Sequence, residues 1–170
     1  MRALVVYESW FGNTRRVAEE VAAALKADGE VELLSVDDPL PSLENVDLLV
    51  VGAPTHVHGL SRPVSRKSAI EQRGREGDVG IGMRGWLEEL PPLDVPPIAV
   101  FDTRAHKSAL LVGSAAHVLA RRLRRRGYRL AAEPQSFFVT GTPGPLEEGE
   151  VERAGEWARS LTVWRVPAGV

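Results

Sequence analysis

Hydroxyl, amide and glycine residues are concentrated in residues 9–14, between an apolar run at residues 3–6 and an amphipathic run at residues 17–25. The apolar run is typical of a strand covered on both faces, and the amphipathic run has the spacing of a helix that packs on a core. A turn between these elements directs backbone N–H groups and the positive end of the helix dipole at one point, which favours a phosphate. The candidate ligands are Ser9, Trp10, Phe11, Gly12, Asn13 and Thr14. A plain strand-to-helix turn with a good N-cap is the alternative.

Two common phosphate-binding patterns are missing from this position. The sequence has neither G-x-x-x-x-G-K-[ST] nor a G-x-G-x-x-G after the first apolar run, which argues against a nucleoside triphosphatase and the usual dinucleotide site. Residues 9–14 resemble instead the S/T-x-x-G-x-T loop of the flavodoxin family. Ser9 and Thr14 match its first and last positions, while Phe11 replaces a hydroxyl found in many members. The resemblance implies that this loop binds the terminal phosphate of FMN.

Length and composition narrow the class of protein. The 170 residues predict one domain, residues 1–170, and the absence of cysteine excludes disulfides, thiolate nucleophiles and Cys-ligated metals. A net charge of −2 argues against nucleic-acid binding. No apolar stretch approaches the roughly 18 residues that span a bilayer, and Met1 leads directly into the first apolar run. We therefore expect a cytoplasmic protein without stable membrane insertion.

Apolar and amphipathic segments alternate along the whole chain. Strands are predicted at residues 3–6, 31–36, 48–51, 98–101 and within 129–139, and helices at about 14–27, 84–90, 109–126 and 147–161. This alternation predicts an α/β domain with a parallel, doubly wound sheet. The flavodoxin resemblance implies a three-layer sandwich with five strands in the order 2-1-3-4-5. Residues 61–82 are expected to form a long loop that is a substrate lid, a docking surface or simply solvated.

Ligands of such sheets bind beyond the carboxyl ends of the strands, where the strand order reverses. After the third strand come Pro54, Thr55, His56, Val57, His58 and Gly59. Residues 52–55 resemble the G-x-P-T stretch that lies along the isoalloxazine ring in flavin and quinone reductases of the same superfamily. The two histidines are too few for a metal site, which needs three or four ligands, so no metal is predicted.

The loop after the fourth strand is expected to cover the other side of the flavin. Its candidate residues are Asp102, Thr103, Arg104 and His106. In the alternative, Asp102 or Ser108 is a local helix cap and Arg104 is its ion-pair partner. The arginine run at residues 121–126 is interpreted as a solvated helix end, where cations complement the helix dipole.

The resemblance continues through residues 113–116, 133–137 and 141–146, which are similar to a flavodoxin-domain subfamily common in actinobacteria. It implies a protein that transfers electrons through noncovalently bound FMN. An FMN-dependent reductase or oxidase of a quinone-like or porphyrinogen-like molecule is the alternative, because the second and third loops lack the Trp or Tyr of electron carriers and the chain is only weakly acidic. No catalytic residue is assigned. The expected partner is a redox protein or a small quinone-like substrate, and the expected state is a monomer or homodimer.

Overall fold

Five parallel strands form one sheet in the order β2-β1-β3-β4-β5, as the sequence predicted. The computed structural model describes residues 1–56, 59–72, 80–92, 94–106 and 113–162. The strands are β1 (Arg2–Tyr7), β2 (Glu30–Ser35), β3 (Leu48–Pro54), β4 (Ile98–Ala105) and β5 (Gln135–Val139). The α-helices are α1 (Asn13–Leu25), α2 (Pro63–Gln72), α3 (Gly82–Glu89), α4 (Ala115–Arg125) and α5 (Glu150–Leu161). No helix in these ranges is both long and apolar enough to cross a membrane.

The pattern of buried residues explains which strands lie at the centre. In β1, β3 and β4 the apolar residues are buried in uninterrupted runs, because helices cover the sheet on both faces. The mixed polarity of β2 matches its position at one edge, where four of its residues are only partly buried. The β1–β3 register pairs Val5 with Val50 and Tyr7 with Gly52, so the two strands end together at the carboxyl edge.

The sheet separates two hydrophobic cores. One contains Met83 and Trp86 of α3 and Leu119 and Leu123 of α4. The other contains the apolar stripe of α1, such as Val17 and Val21, and small residues of α5. The three-layer arrangement that the flavodoxin resemblance implied is therefore confirmed.

The expectation of a continuous loop at residues 61–82 was wrong, because α2 occupies Pro63–Gln72. Proline is favoured in the first turn of a helix, and the Ser65 hydroxyl accepts from Arg62 N at 2.8 Å just before it. The helix was missed because it has no apolar stripe: the residues it buries are Arg66 and Ala69.

Three element boundaries also differ from the sequence prediction. Strand β4 continues to Ala105, since it pairs with β5 from Phe101 opposite Gln135 to Ala105 opposite Val139. Helix α4 begins at Ala115 rather than at residue 109, because Ser114 is an extended N-cap whose side chain accepts from His117 N. Residues 107–112 lie outside the described ranges. Helix α5 begins at Glu150 after the left-handed Gly149, three residues later than predicted.

A test of this packing is the substitution Gly52→Ala in the centre of β3. A Cβ atom at Gly52 would lie 2.0 Å from Cζ of Phe101, whose ring is fully buried and cannot move aside. We expect the free energy of unfolding to fall by about 3 kcal/mol, measured by urea denaturation.

Gly141→Ala is the matched control, because a Cβ atom there meets nothing within 4 Å. A Gly52→Ala protein as stable as this control would contradict the packing.

Candidate functional site

The carboxyl edge of β1 and β3 is the point where the chain reverses direction in the sheet. From β1 the chain passes to β2 on one side, and the next strand, β3, lies on the other side. The loops that follow β1 and β3 therefore diverge around a crevice, which is where ligands of such sheets bind. Residues 8–12 follow β1, and residues 55, 56 and 59–62 follow β3.

The loop after β1 ends in an uncapped helix N-terminus. Gly12 is the N-cap residue of α1 and has left-handed backbone angles, φ 91° and ψ −13°, which explains why glycine is needed there. Among the described residues, no side chain caps the first turn of α1. A Cβ atom at Gly12 would meet nothing within 4 Å, so the space in front of this turn is open. The first N–H groups of α1 are thus available to an anion.

The Ser9 hydroxyl is the unusual polar group of this loop. Its Oγ atom is buried and has no hydrogen-bond partner. A buried hydroxyl without a partner is costly, so such a group usually marks a place where a ligand or water binds. The other two predicted side-chain donors already have protein partners. Asn13 donates to Pro143 O at 2.6 Å, and the Thr14 hydroxyl lies 2.7 Å from that of Thr103.

The sequence analysis missed Glu8, which anchors the same loop. Glu8 is 2% exposed, and its two carboxylate oxygens accept from Trp10 Nε1 at 2.7 Å and from Met83 N at 2.8 Å. Its own N–H donates to Gly52 O at 2.9 Å. Glu8 therefore holds the Trp10 indole and joins the loop to β3 and to α3. The sequence did contain a signal for this anchoring role: Glu8 is a carboxylate directly after a buried strand and two residues before the indole N–H of Trp10.

The loop after β3 is held to β4 by backbone hydrogen bonds. Thr55 N donates to Thr103 O at 2.9 Å, and His56 and Gly59 exchange backbone hydrogen bonds of 2.7 and 2.8 Å. Pro54 ends β3, whereas Val57 and His58 lie outside the described residues.

Burial favours the neutral form of His56 by lowering its pKa. Its Nε2 atom is buried without a partner, and burial lowers the pKa of the imidazole, with a smaller lowering by Arg66 and an opposing effect of Glu8. The residues that the structure describes contain no group of three or more His, Asp or Glu side chains that could hold a metal.

Asp102 caps α4. Its Oδ2 atom accepts from the Ser114 hydroxyl at 2.6 Å, from Thr55 Oγ1 at 3.0 Å and from Ala116 N at 3.0 Å. Thr55 Oγ1 in turn accepts from Ala115 N at 2.8 Å. The alternative interpretation of Asp102 as a helix cap is therefore what the structure shows. Because the carboxylate is fully buried, its assignment to the cofactor stays a prediction.

The remaining candidates after β4 point in two directions. The buried Thr103 hydroxyl meets Thr14 and so belongs with the loop after β1. Arg104 instead donates to Ser136 Oγ at 3.1 Å and lies over the Phe138 ring. His106 stacks on the same ring at 4.2 Å and is 3.0 Å from Glu147. Arg104 and His106 are thus engaged with β5 and the start of α5.

Comparisons with known proteins agree with this geometry. Residues 4–66 match the model of a flavodoxin domain family, a range that includes β1, the uncapped turn, β3 and the loop after it. Oxidised flavodoxin 1 from Bacillus cereus superimposes with a TM-score of 0.68 at 21% identity, over 98% of this chain and 100% of that one. A flavodoxin from the domain Archaea gives a TM-score of 0.65 at 17% identity, over 96% and 97% of the two chains.

A WrbA-like flavodoxin from Agrobacterium tumefaciens shares the fold at a TM-score of 0.56 and 17% identity, over 95% of each chain. No curated protein sequence matches the chain. The resemblance to the flavodoxin family is confirmed for residues 4–66, which the domain model matches, and the solved flavodoxins show that the whole chain has the flavodoxin fold. Membership of the actinobacterial subfamily stays a prediction.

The capping role of Asp102 is tested by Asp102→Ala. The substitution removes the acceptor of three buried hydrogen bonds, each worth about 1 kcal/mol, so we expect the free energy of unfolding to fall by about 3 kcal/mol. Urea denaturation followed by far-UV circular dichroism measures it.

Asp28→Ala, at an exposed position, is the control and should stay within about 0.5 kcal/mol of the native chain. Equal stability of the two variants would show that the cap contributes nothing.

Proposed function

We propose that this protein binds FMN noncovalently, with its phosphate on residues 9–14, and passes electrons through the flavin. The observation that carries the proposal is the open first turn of α1 beside the unpartnered hydroxyl of Ser9. A dianionic phosphate satisfies both features, because it accepts from several N–H groups and from a hydroxyl at once. The flavodoxin fold and the match to the flavodoxin domain model support a flavin as the ligand.

Each part of the carboxyl edge has a separate task in this proposal. The N–H groups of Asn13 and Thr14 and the Ser9 hydroxyl would hold the phosphate. Residues 54–59 and Thr103 would border the isoalloxazine ring. Bound FMN supplies the capacity to accept and release electrons, which no side chain of this chain has. Glu8 keeps the loop in place, since it is tied to both β3 and α3.

His56 would give the ring a neutral neighbour. Because burial lowers the pKa of this imidazole below 6.5, the side chain is uncharged at neutral pH. A neutral imidazole donates through one ring nitrogen and accepts through the other, so the buried Nε2 can bond to either kind of ring atom. Arg104 and His106, which are engaged with β5, would lie farther from the ring than the sequence analysis expected.

The proposal includes a cytoplasmic location and a redox partner protein or a small quinone-like molecule as the reaction partner. These follow from the sequence resemblance and from the electron-transfer role. The chain would act as a monomer or a homodimer.

Ser9→Ala tests the phosphate assignment. It should weaken FMN binding by about tenfold or more, because one hydrogen bond to a charged group is worth roughly 1.5–3 kcal/mol, and leave riboflavin binding unchanged. Titration of apoprotein with each flavin, followed by flavin fluorescence, measures both affinities. The free energy of unfolding should not fall, since Ser9 Oγ has no partner to lose. Ser9 is a cleaner site than Thr14, whose hydroxyl also holds Thr103.

Ser42→Ala, on the far side of β1 in the connection between β2 and β3, is the control and should bind both flavins like the native chain. Equal affinity of native protein for FMN and riboflavin would refute the phosphate site.

A further inference from the structure

Positive charge is concentrated on one helix of a chain that is slightly acidic overall. The net charge is −2, yet no acidic residue lies between Ala115 and Arg126. The same segment contains the arginines Arg121, Arg122, Arg124, Arg125 and Arg126. The dipole of α4 favours cations in its last turn, which explains part of the run but not the arginines at the middle of the helix.

Some of these arginines are used within the fold, and others are not. Arg124 lies 3.5 Å from Glu133, and Arg126 donates to the carbonyl oxygens of Leu87 and Leu90. Arg121 and Arg125 are exposed and form no hydrogen bond or ion pair with any residue in the described ranges. Their charges therefore face the solvent.

The exposed arginines line a groove on the outer face of α4. The groove has a volume of about 690 Å³, and its walls include His117, Val118, Arg121, Arg124 and Arg125. No carboxylate is among the residues that line it. We call this surface the basic face of α4.

Arg84 of α3 and Arg62 after β3 lie near Arg122 of α4, which is not among the residues that line the groove. The pKa of Arg84 is lowered first by burial and then by the nearby charges of Arg122 and Arg62. Arg84 is held there because it donates to Ser61 O at 3.1 Å and to Leu60 O at 3.4 Å. Like charges gathered in this way produce a positive potential that attracts an acidic surface.

The basic face continues directly from the proposed cofactor site. Thr55, in the loop after β3, accepts from Ala115 N at the start of α4. Gly59 packs so closely on α4 that a Cβ atom there would lie 3.2 Å from Val118 Cγ2. With a rise of 1.5 Å per residue, Arg121 lies about 9 Å and Arg125 about 15 Å from the first residue of α4.

We propose that the basic face of α4 is the docking surface for an acidic redox protein. The inference rests on the proposed function, since a partner bound there would lie beside the loop that borders the flavin. Charge complementarity identifies the partner: Glu133 lies near Arg124 only, so the face keeps the exposed positive charges of Arg121 and Arg125, which select an acidic surface. An acidic protein is favoured over nucleic acid because the two unpaired cations, Arg121 and Arg125, are about one helical turn apart rather than spread over a broad surface.

The experiment uses a purified acidic [2Fe–2S] ferredoxin as the probe. Binding to the FMN-loaded protein is measured by isothermal titration calorimetry at low and at 0.3 M salt. We expect saturable binding that weakens as the salt concentration rises. The double variant Arg121→Glu/Arg125→Glu should bind at least about tenfold more weakly, because each reversal replaces an attraction by a repulsion.

The control variant Lys26→Glu/Arg159→Glu makes the same change in net charge. Its two positions are exposed and belong to the opposite layer, at the end of α1 and on α5, so it should bind like the native chain. If both variants bound ferredoxin equally weakly, net charge alone would explain the effect, and the proposal would be overturned. Absence of ferredoxin binding, or tighter binding of a 20-base-pair DNA duplex to the same arginines, would also overturn it.

FMN affinity of every variant is measured separately, because Arg121 and Arg125 are not part of the proposed phosphate loop. Loss of ferredoxin binding with normal FMN binding concerns only the docking surface. Failure of the native protein to bind FMN would refute the proposed function. Ferredoxin binding to the FMN-free protein would then be measured in the same way, so that the docking surface is tested separately.

Discussion

The first turn of α1 has N–H groups that no side chain caps, and the arrangement of the carboxyl edge depends on leaving them open. Gly12 makes the turn possible by its left-handed backbone, and Ser9 leaves a buried hydroxyl without a partner beside it. Such groups destabilise the isolated fold unless an anion binds. The surrounding structure compensates by fixing the loop from two sides: Glu8 ties it to β3 and α3, and Thr14 ties it to β4 through Thr103.

Two buried carboxylates, Glu8 and Asp102, have different structural roles at this edge. Glu8 orders the loop after β1, whereas Asp102 joins the loop after β3 to the start of α4. Glu8 is hydrogen-bonded through both carboxylate oxygens and Asp102 through Oδ2, and these bonds fix the geometry of the two loops. Asp102 Oδ1 is buried without a hydrogen-bond partner among the described residues. The exposed charges of α4 are arginines. The proposed phosphate loop and the basic face of α4 would therefore both bind anionic partners. The loop would hold a small ligand, and the basic face would hold a protein surface.

Local patterns were enough to predict the five strands and the turn between β1 and α1, because uninterrupted apolar strands and a strand–glycine–helix turn are set by nearby residues. The strand order followed from the flavodoxin resemblance. Helix α2 was not predictable in the same way, since it buries Arg66 and Ala69 rather than an apolar stripe. The partners of Asp102 come from residues 55, 114 and 116, which only the fold brings together. Arg104 and His106 were assigned to the flavin by their position in the chain, but β4 continues through Arg104 to Ala105, and both side chains contact Phe138 of β5.

The central claim is that residues 9–14 hold the phosphate of FMN as a dianion. Phosphorus-31 NMR of the protein mixed with one equivalent of FMN tests it directly, because the phosphate of free FMN changes its protonation near pH 6. The account predicts a resonance separate from that of free FMN, whose chemical shift stays constant between pH 5.5 and 8, since N–H and O–H donors stabilise the dianion. A resonance that coincides with free FMN and titrates with it would contradict the account.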